Sequence, residues 1–225
     1  MQVDTELAVK ANNVTRHHIV ISGTGRAGTT FLVELLTHLG LDTGFTPENL
    51  ALRKDESSRA GLEHDIRKRR SPYIVKSPHF CDIAEDVIAD KQIVIERVII
   101  PVRDVYAAAE SRRCVRAAAQ ARESLLKRMA KTLRPRRDPG GLWHTAKGHE
   151  QEIILLQQFY KLTLALAGTT IPISLLRFPR LVNDGPYLFL KLEPMLGDIG
   201  MEQFMAAFER TANPKLVHSF GPQDC

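Results

Sequence analysis

The sequence predicts an α/β fold: a single domain in which a parallel β-sheet carries helices on both faces. Three observations predict it. Short apolar runs of strand length alternate with longer segments of helical periodicity, the order that builds a parallel sheet through crossover connections. The first run leads directly into a glycine-rich stretch, "SGTGRAGTT", and then into a helical pattern. The chain has 225 residues, 44% of them hydrophobic and 25% charged, which suits one globular domain with a full core.

The elements follow in order. Residues 1–16 hold no apolar stretch of leader type and are expected to be a flexible N-terminal segment. "HIVIS" (18–22) is a short buried strand that ends at the glycine loop. "TTFLVELLTHLG" places Phe31, Leu32, Leu35, Leu36 and Leu39 at helical spacing, with Gly40 as the stop. Residues 46–72 are polar and charged and read as a loop with helical parts. "YIVKSP" (73–78) is a second strand, "CDIAEDVIAD" a helix, and "IERVIIPVR" (95–103) a third strand. "DVYAAAESRRCVRAAAQ" opens a long helix, and "LRPRRDPGG" (133–141) is a breaker cluster. A helix over 144–167, a strand "IPISLLRF" (171–178) and helices near 186–196 and 201–210 complete the chain. No run approaches the ~18 apolar residues of a membrane span, and no repeat or second domain is visible.

Composition narrows the partners. A net charge of +5 favours an anionic ligand. Ten basic residues and one acid fall in 112–137. This reads first as a solvated helix face and second as a funnel for an anionic donor or acceptor. The stretch has no aromatic residue to stack a base, so nucleic-acid binding is not expected. Cys81, Cys114 and Cys225 have no metal-ligand spacing. They are expected to be reduced thiols of a cytoplasmic protein, without a metal site.

The glycine stretch carries the chemistry. Gly23, Gly25 and Gly28 allow a tight turn that points successive N–H groups inward. The helix that follows adds its N-terminal partial charge, and Thr24, Thr29 and Thr30 add hydroxyls. Strand, loop and helix in this order make a phosphate site of the P-loop type. A nucleoside-triphosphate loop, however, wants lysine after the second glycine of its motif. Thr29 stands there, and the nearest cation is Arg26, two residues before Gly28.

Arg26-Ala27-Gly28-Thr29-Thr30 resembles the [K/R]-[S/A/G]-G-T-T loop of bacterial-type sulfotransferases that use 3′-phosphoadenosine 5′-phosphosulfate (PAPS). The resemblance implies that residues 23–30 hold the donor's 5′-phosphate, with Arg26 bridging that phosphate and the departing oxygen. That family reads the 3′-phosphate with an Arg at a strand end and a Ser eight residues later. "VIIPVRDVYAAAESR" supplies Arg103 and Ser111 at that spacing. "YIVKSPHF" resembles the family's K-[T/S]-P strand end and carries over Lys76 as a transition-state cation. "LLRFPRLVND" resembles the L-R-Y-E-D-L stretch, with Pro179 in place of the usual acid. The resemblance spans roughly residues 18–195; no C-terminal R-K-G loop is found, and Arg210 and Lys215 are not assigned in its place.

It implies in-line transfer of a sulfuryl group to a hydroxyl or amine of a small-molecule, carbohydrate or lipid-type acceptor, with no metal required. The acceptor needs a base. Glu48, 20 residues beyond Gly28, is placed first, since several subfamilies have a glutamate at about that distance. His79, just after the Lys76 strand end, is second, and Glu63 and His64 are the remaining candidates. Two other functions stay open: a P-loop nucleotide or small-molecule kinase, which would want a cation at position 29, and a non-catalytic nucleotide-binding relative.

Overall fold

The computed structural model of the protein describes residues 15–54, 61–122 and 147–217, with the backbone alone for residues 119–122. Four strands form one all-parallel sheet: β1 Arg16–Ile21, β2 Ile74–Lys76, β3 Ile93–Val102 and β4 Ile173–Arg177, in the order β2-β1-β3-β4. The described helices are α1 Thr29–His38, α2 Phe80–Ala89, α3 Val105–Arg122, α4 Gln151–Ala167, α5 Arg180–Asn183, α6 Gly185–Leu192 and α7 Met201–Thr211.

Alternation along the strands sorts the core into two layers. Ile19, Ile21 and Ile99 face α1, α6 and α7, where Leu32, Leu36, Leu188 and Phe204 pack on them. Val20, Val75, Val98 and Ile100 face the other way, against Phe80 of α2 and Leu162 and Leu166 of α4. Ala108 and Ala109 let α3 approach α4 closely at Leu155. Each fully buried leucine or phenylalanine here contributes about 1.5–3 kcal/mol of transfer free energy. The sheet is therefore covered on both faces, as the sequence predicts.

Register brings the strand ends to one edge. Ile21 pairs with Lys76 on one side and Ile99 on the other, and Val102 pairs with Arg177. The register between β1 and β3 shifts at His18/Ile19, which leaves Glu96 as an extra residue in β3. In a parallel sheet of this kind ligands bind outside the carboxyl ends of the strands. The glycine loop, Lys76, Arg103 and Phe178 all follow or end strands at that edge.

Several boundaries differ from the sequence reading. Arg16 opens β1 and pairs with Ile93, so the expected flexible segment 1–16 is too long by at least that residue; residues 1–14 lie outside the described part. The helix expected over 144–167 starts at Gln151, after a 3₁₀ turn at Gly148–Glu150. The helix expected near 186–196 is α6 followed by a 3₁₀ turn at Glu193–Met195, and the short α5 before it was not anticipated. The breaker cluster 133–141 lies outside the described residues. Cys81 is a free, buried thiol that burial pushes up to about 11. Cys114 is disulfide-bonded, against the expectation of reduced thiols. Among the described residues no helix is long and apolar enough to cross a membrane.

Candidate anion-binding site

The loop between β1 and α1 turns through left-handed conformations, with φ of 71° at Gly25, 56° at Arg26 and 89° at Gly28. Arg26 is one of two non-glycine described residues in that region, which costs about 1 kcal/mol or more and is commonest at functional sites. A side chain at Gly28 would crowd Leu181 at 3.0 Å and Phe178 at 3.3 Å. Gly28 is the N-cap of α1. It offers no side-chain cap, and the first turn has no acid, so the helix's leading amides are not satisfied by a side chain there. Loop turn and helix start thus combine into a concentration of N–H donors, the arrangement that favours an oxyanion.

Around this loop the structure assembles cations from three other elements. Arg103, at the end of β3, donates from a terminal guanidinium nitrogen to the Arg26 carbonyl at 2.9 Å and lies over the Phe178 ring at 4.7 Å. Arg26 Nε donates to Ser111 Oγ at 3.1 Å, across 85 residues of sequence. Arg112, the next residue of α3, donates to the Thr24 carbonyl at 2.8 Å. Burial, with Arg26 adding repulsion, pushes both Arg103 and Arg112 down to about 10. They remain cations at neutral pH, held where charge is unwelcome.

Lys76, at the end of β2, is 3% exposed. Its Nζ donates to Thr30 Oγ1 at 2.8 Å, to the Gly61 carbonyl and to Glu63 Oε1 at 3.3 Å. Burial lowers its pKa, and Arg26 works in the same direction, while Glu63 opposes both. The three donors of the ammonium meet three acceptors. Residues 61–64, which precede β2 in the chain, lie against its end as a strap: the His64 N–H donates to the Lys76 carbonyl, and Leu62 is held at φ 61°.

The loop residues 23–30, Lys76, Arg103 and Ser111 are therefore brought to one edge, joined by direct contacts. Glu48 is not joined to them. It is exposed, no hydrogen bond or ion pair links it to another site residue, and a hydrogen bond from Thr46 holds its carboxyl below the usual range. A depressed pKa makes it a weaker base. His79 is the N-cap residue of α2, with its ring nitrogen 4.0 Å from Asp82. Glu63, the lower-ranked candidate, is the carboxylate that reaches Lys76. His64 is turned inward against Phe45, ring centroids 4.7 Å apart, and burial lowers its pKa.

Two site residues escape the sequence reading. Arg112 is hidden in a run of basic residues that suggests a solvated face, yet it is 2% exposed. Phe178 stands at the aromatic position of the stretch that resembles L-R-Y-E-D-L, but that resemblance assigns it no role in the site. Among the described residues, no cluster of three or more His, Cys, Asp and Glu could hold a metal ion. Comparison with protein families, with curated proteins and with solved structures finds no match.

Proposed function

We propose that the protein is a PAPS-dependent sulfotransferase. The observation that supports this most is the contact between the two halves of the motif. Arg26 of the glycine loop donates to Ser111, and Arg103 donates to the Arg26 carbonyl, so the residues expected at the 5′- and 3′-phosphates form one cluster. A donor with phosphates on both sides of one ribose suits such a cluster. The side chain at position 29 is a buried threonine, where a kinase loop would want lysine.

In this reading the loop amides, the start of α1 and Arg26 bind the 5′-phosphate, and Arg103 and Ser111 bind the 3′-phosphate. The acceptor oxygen attacks sulfur as the bond from sulfur to the 5′-phosphate oxygen breaks. The electron pair stays on that oxygen, where Arg26 and Lys76 stabilise it, and the acceptor's proton leaves to a base. The acceptor is a hydroxyl or amine of a small-molecule, carbohydrate or lipid-type compound.

Binding to the folded state stabilises it by RT ln(1 + [L]/Kd), about 2.7 kcal/mol at a hundredfold excess over Kd. Thermal unfolding is followed with 3′-phosphoadenosine 5′-phosphate and with ATP, each with and without magnesium. The expected result is stabilisation by the bisphosphate that does not need magnesium. A response to Mg-ATP with none to the bisphosphate overturns the proposal in favour of a kinase. A bisphosphate response without any transfer from PAPS to a panel of acceptors favours the non-catalytic relative.

A further inference from the structure

Arg112 is the one large charged side chain among the largest fully buried ones, and every acceptor it has is neutral. One terminal nitrogen donates to the Thr24 carbonyl at 2.8 Å. The amide oxygens of Gln151 and Gln158, one face of α4, lie 3.4 Å away, at the limit of a hydrogen bond. Its Nε is buried without a partner. Among the described residues no carboxylate lies within ion-pair distance of it. An arginine in such a place is ordinarily paired, because taking a bare charge out of water is strongly unfavourable.

What lies in front of Arg112 gives the charge a use. A Cβ at Gly25 would stand 3.7 Å from its terminal nitrogen, so the guanidinium sits directly behind the turn of the loop. The donors of that turn and of the α1 N-terminus favour an oxyanion on the other side. Arg26, on the same turn, is the residue whose charge weighs on Arg112. An anion in the loop would relieve both.

We infer that Arg112 is a positioning residue and buried counter-charge of the glycine loop: through Thr24 it holds the turn, and its unneutralised cation favours a phosphate oxyanion it does not touch. The inference rests on reading this edge as an anion site and does not depend on which phosphate compound binds. It adds a residue that the motif resemblance does not supply.

Arg112→Gln removes the charge and keeps a side-chain amide. Arg112→Lys keeps the charge and loses the planar fork. Calorimetry measures binding of 3′-phosphoadenosine 5′-phosphate and of inorganic pyrophosphate, and thermal unfolding measures each protein without ligand. For Arg112→Gln, affinity for both anions is expected to fall about tenfold or more, the order of two unit charges several Å apart at an effective dielectric near 20. Its ligand-free unfolding temperature is expected to hold or rise, because an uncompensated charge is gone. Arg112→Lys is expected to recover most of the affinity. Unchanged affinity in Arg112→Gln overturns the inference. So does a loss of ligand-free stability that accompanies the affinity loss and is not rescued by Arg112→Lys, since that is the signature of a purely structural arginine. Should Arg112→Gln fail to fold, Arg112→Lys decides: near-native affinity supports the charge, and affinity lost by tenfold overturns it. Pyrophosphate binding without bisphosphate binding would sink the proposed function and leave this inference to its own arms. A wild-type protein that binds neither anion overturns both.

Discussion

Two buried cations flank the glycine loop, and they are treated in opposite ways. Lys76 meets three oxygens, one of them the carboxylate of Glu63. Arg112 meets only neutral carbonyl and amide oxygens and keeps one buried nitrogen without a partner. Both are almost fully removed from water, at 3% and 2% exposure. The charge on the β2 side is thus matched by a carboxylate of the chain itself, whereas on the α3 side no described residue neutralises Arg112. A buried charge left without a counter-ion is where a nearby anion gains most, because the fold has already desolvated it.

Arg26 stands between the two, and its charge adds to burial, the larger cause, in lowering the pKa of both. Arg26→Ala is the largest test of the comparison. If the proposed transfer is the reaction, release of 3′-phosphoadenosine 5′-phosphate from PAPS should slow by ~2–4 kcal/mol in barrier, the scale of one lost oxyanion donor. The protein should still fold, because Arg26 is a half-buried loop residue outside the core, and alanine in the same left-handed conformation adds no strain beyond what Arg26 already bears. Near-normal turnover by folded Arg26→Ala would separate the two sides and remove Arg26 from the mechanism.

Arg103→Ala comes next and bears on the α3 side alone. A charge-assisted contact to the 3′-phosphate is worth ~1.5–3 kcal/mol. Calorimetry should show that loss for the bisphosphate and a smaller one for adenosine 5′-phosphosulfate, which lacks the 3′-phosphate. Some loss is expected for both, because Arg103 also anchors the Arg26 carbonyl. Equal losses would mean that Arg103 supports the loop without reading the 3′-phosphate.

The sequence made part of each side of this site readable and hid the rest, for a physical reason. Gly23 to Thr30 and the Arg103–Ser111 spacing are local patterns, and a strand followed by a tight turn and a helix leaves few alternatives for where they point. The covered sheet was legible the same way, from short apolar runs such as Ile19, Val20 and Ile21 set between segments of helical periodicity. Arg112 was not, because burial of a helical arginine depends on α4, which starts 39 residues later in the chain. The pairing of Glu63 with Lys76 depends on the path of an irregular strap, set by Gly61 and Leu62 at positive φ, and no periodicity encodes it. The ranking of Glu48 as base followed sequence distance, whereas contact with Lys76 follows the strap.

Glu63→Gln would make Lys76 resemble Arg112: a buried cation among neutral oxygens. Glu63 is 37% exposed, so the pair should be worth only about 1 kcal/mol of stability, read from urea unfolding. Affinity for adenosine 5′-phosphosulfate should move the other way and rise, because Lys76 no longer has a competing carboxylate to release. If stability and affinity fall together, Glu63 is a support of the site and not a competitor for its cation.

The smallest effect separates the two sides by pH. His64 follows Glu63 on the strap, and burial lowers its pKa despite the pull of Asp42 and the Thr43 backbone; Lys68 and Arg53 push in the same direction as burial. Its folded pKa therefore lies below the unfolded value of 6.5. As pH falls through 6.5 the unfolded chain takes up the proton first, so the contribution of His64 is full above that pH and declines below it, down to the folded pKa. His18, buried in β1, is shifted the same way and adds to the decline. The carboxylates with lowered pKa, among them Asp65 and Glu152, act in a lower window, since their unfolded values are 3.8 and 4.5. Urea midpoints at about pH 7.5 and pH 5.5 isolate the histidines on this argument. The wild type should lose stability between the two, and His64→Gln should lose less. At pH 5.5 the protection factor of the His64 amide, which bonds the Lys76 carbonyl, should then fall before protection falls in α3 around Arg112. Equal acid sensitivity in wild type and His64→Gln would assign the decline to His18 and leave the strap as firm as the helix opposite.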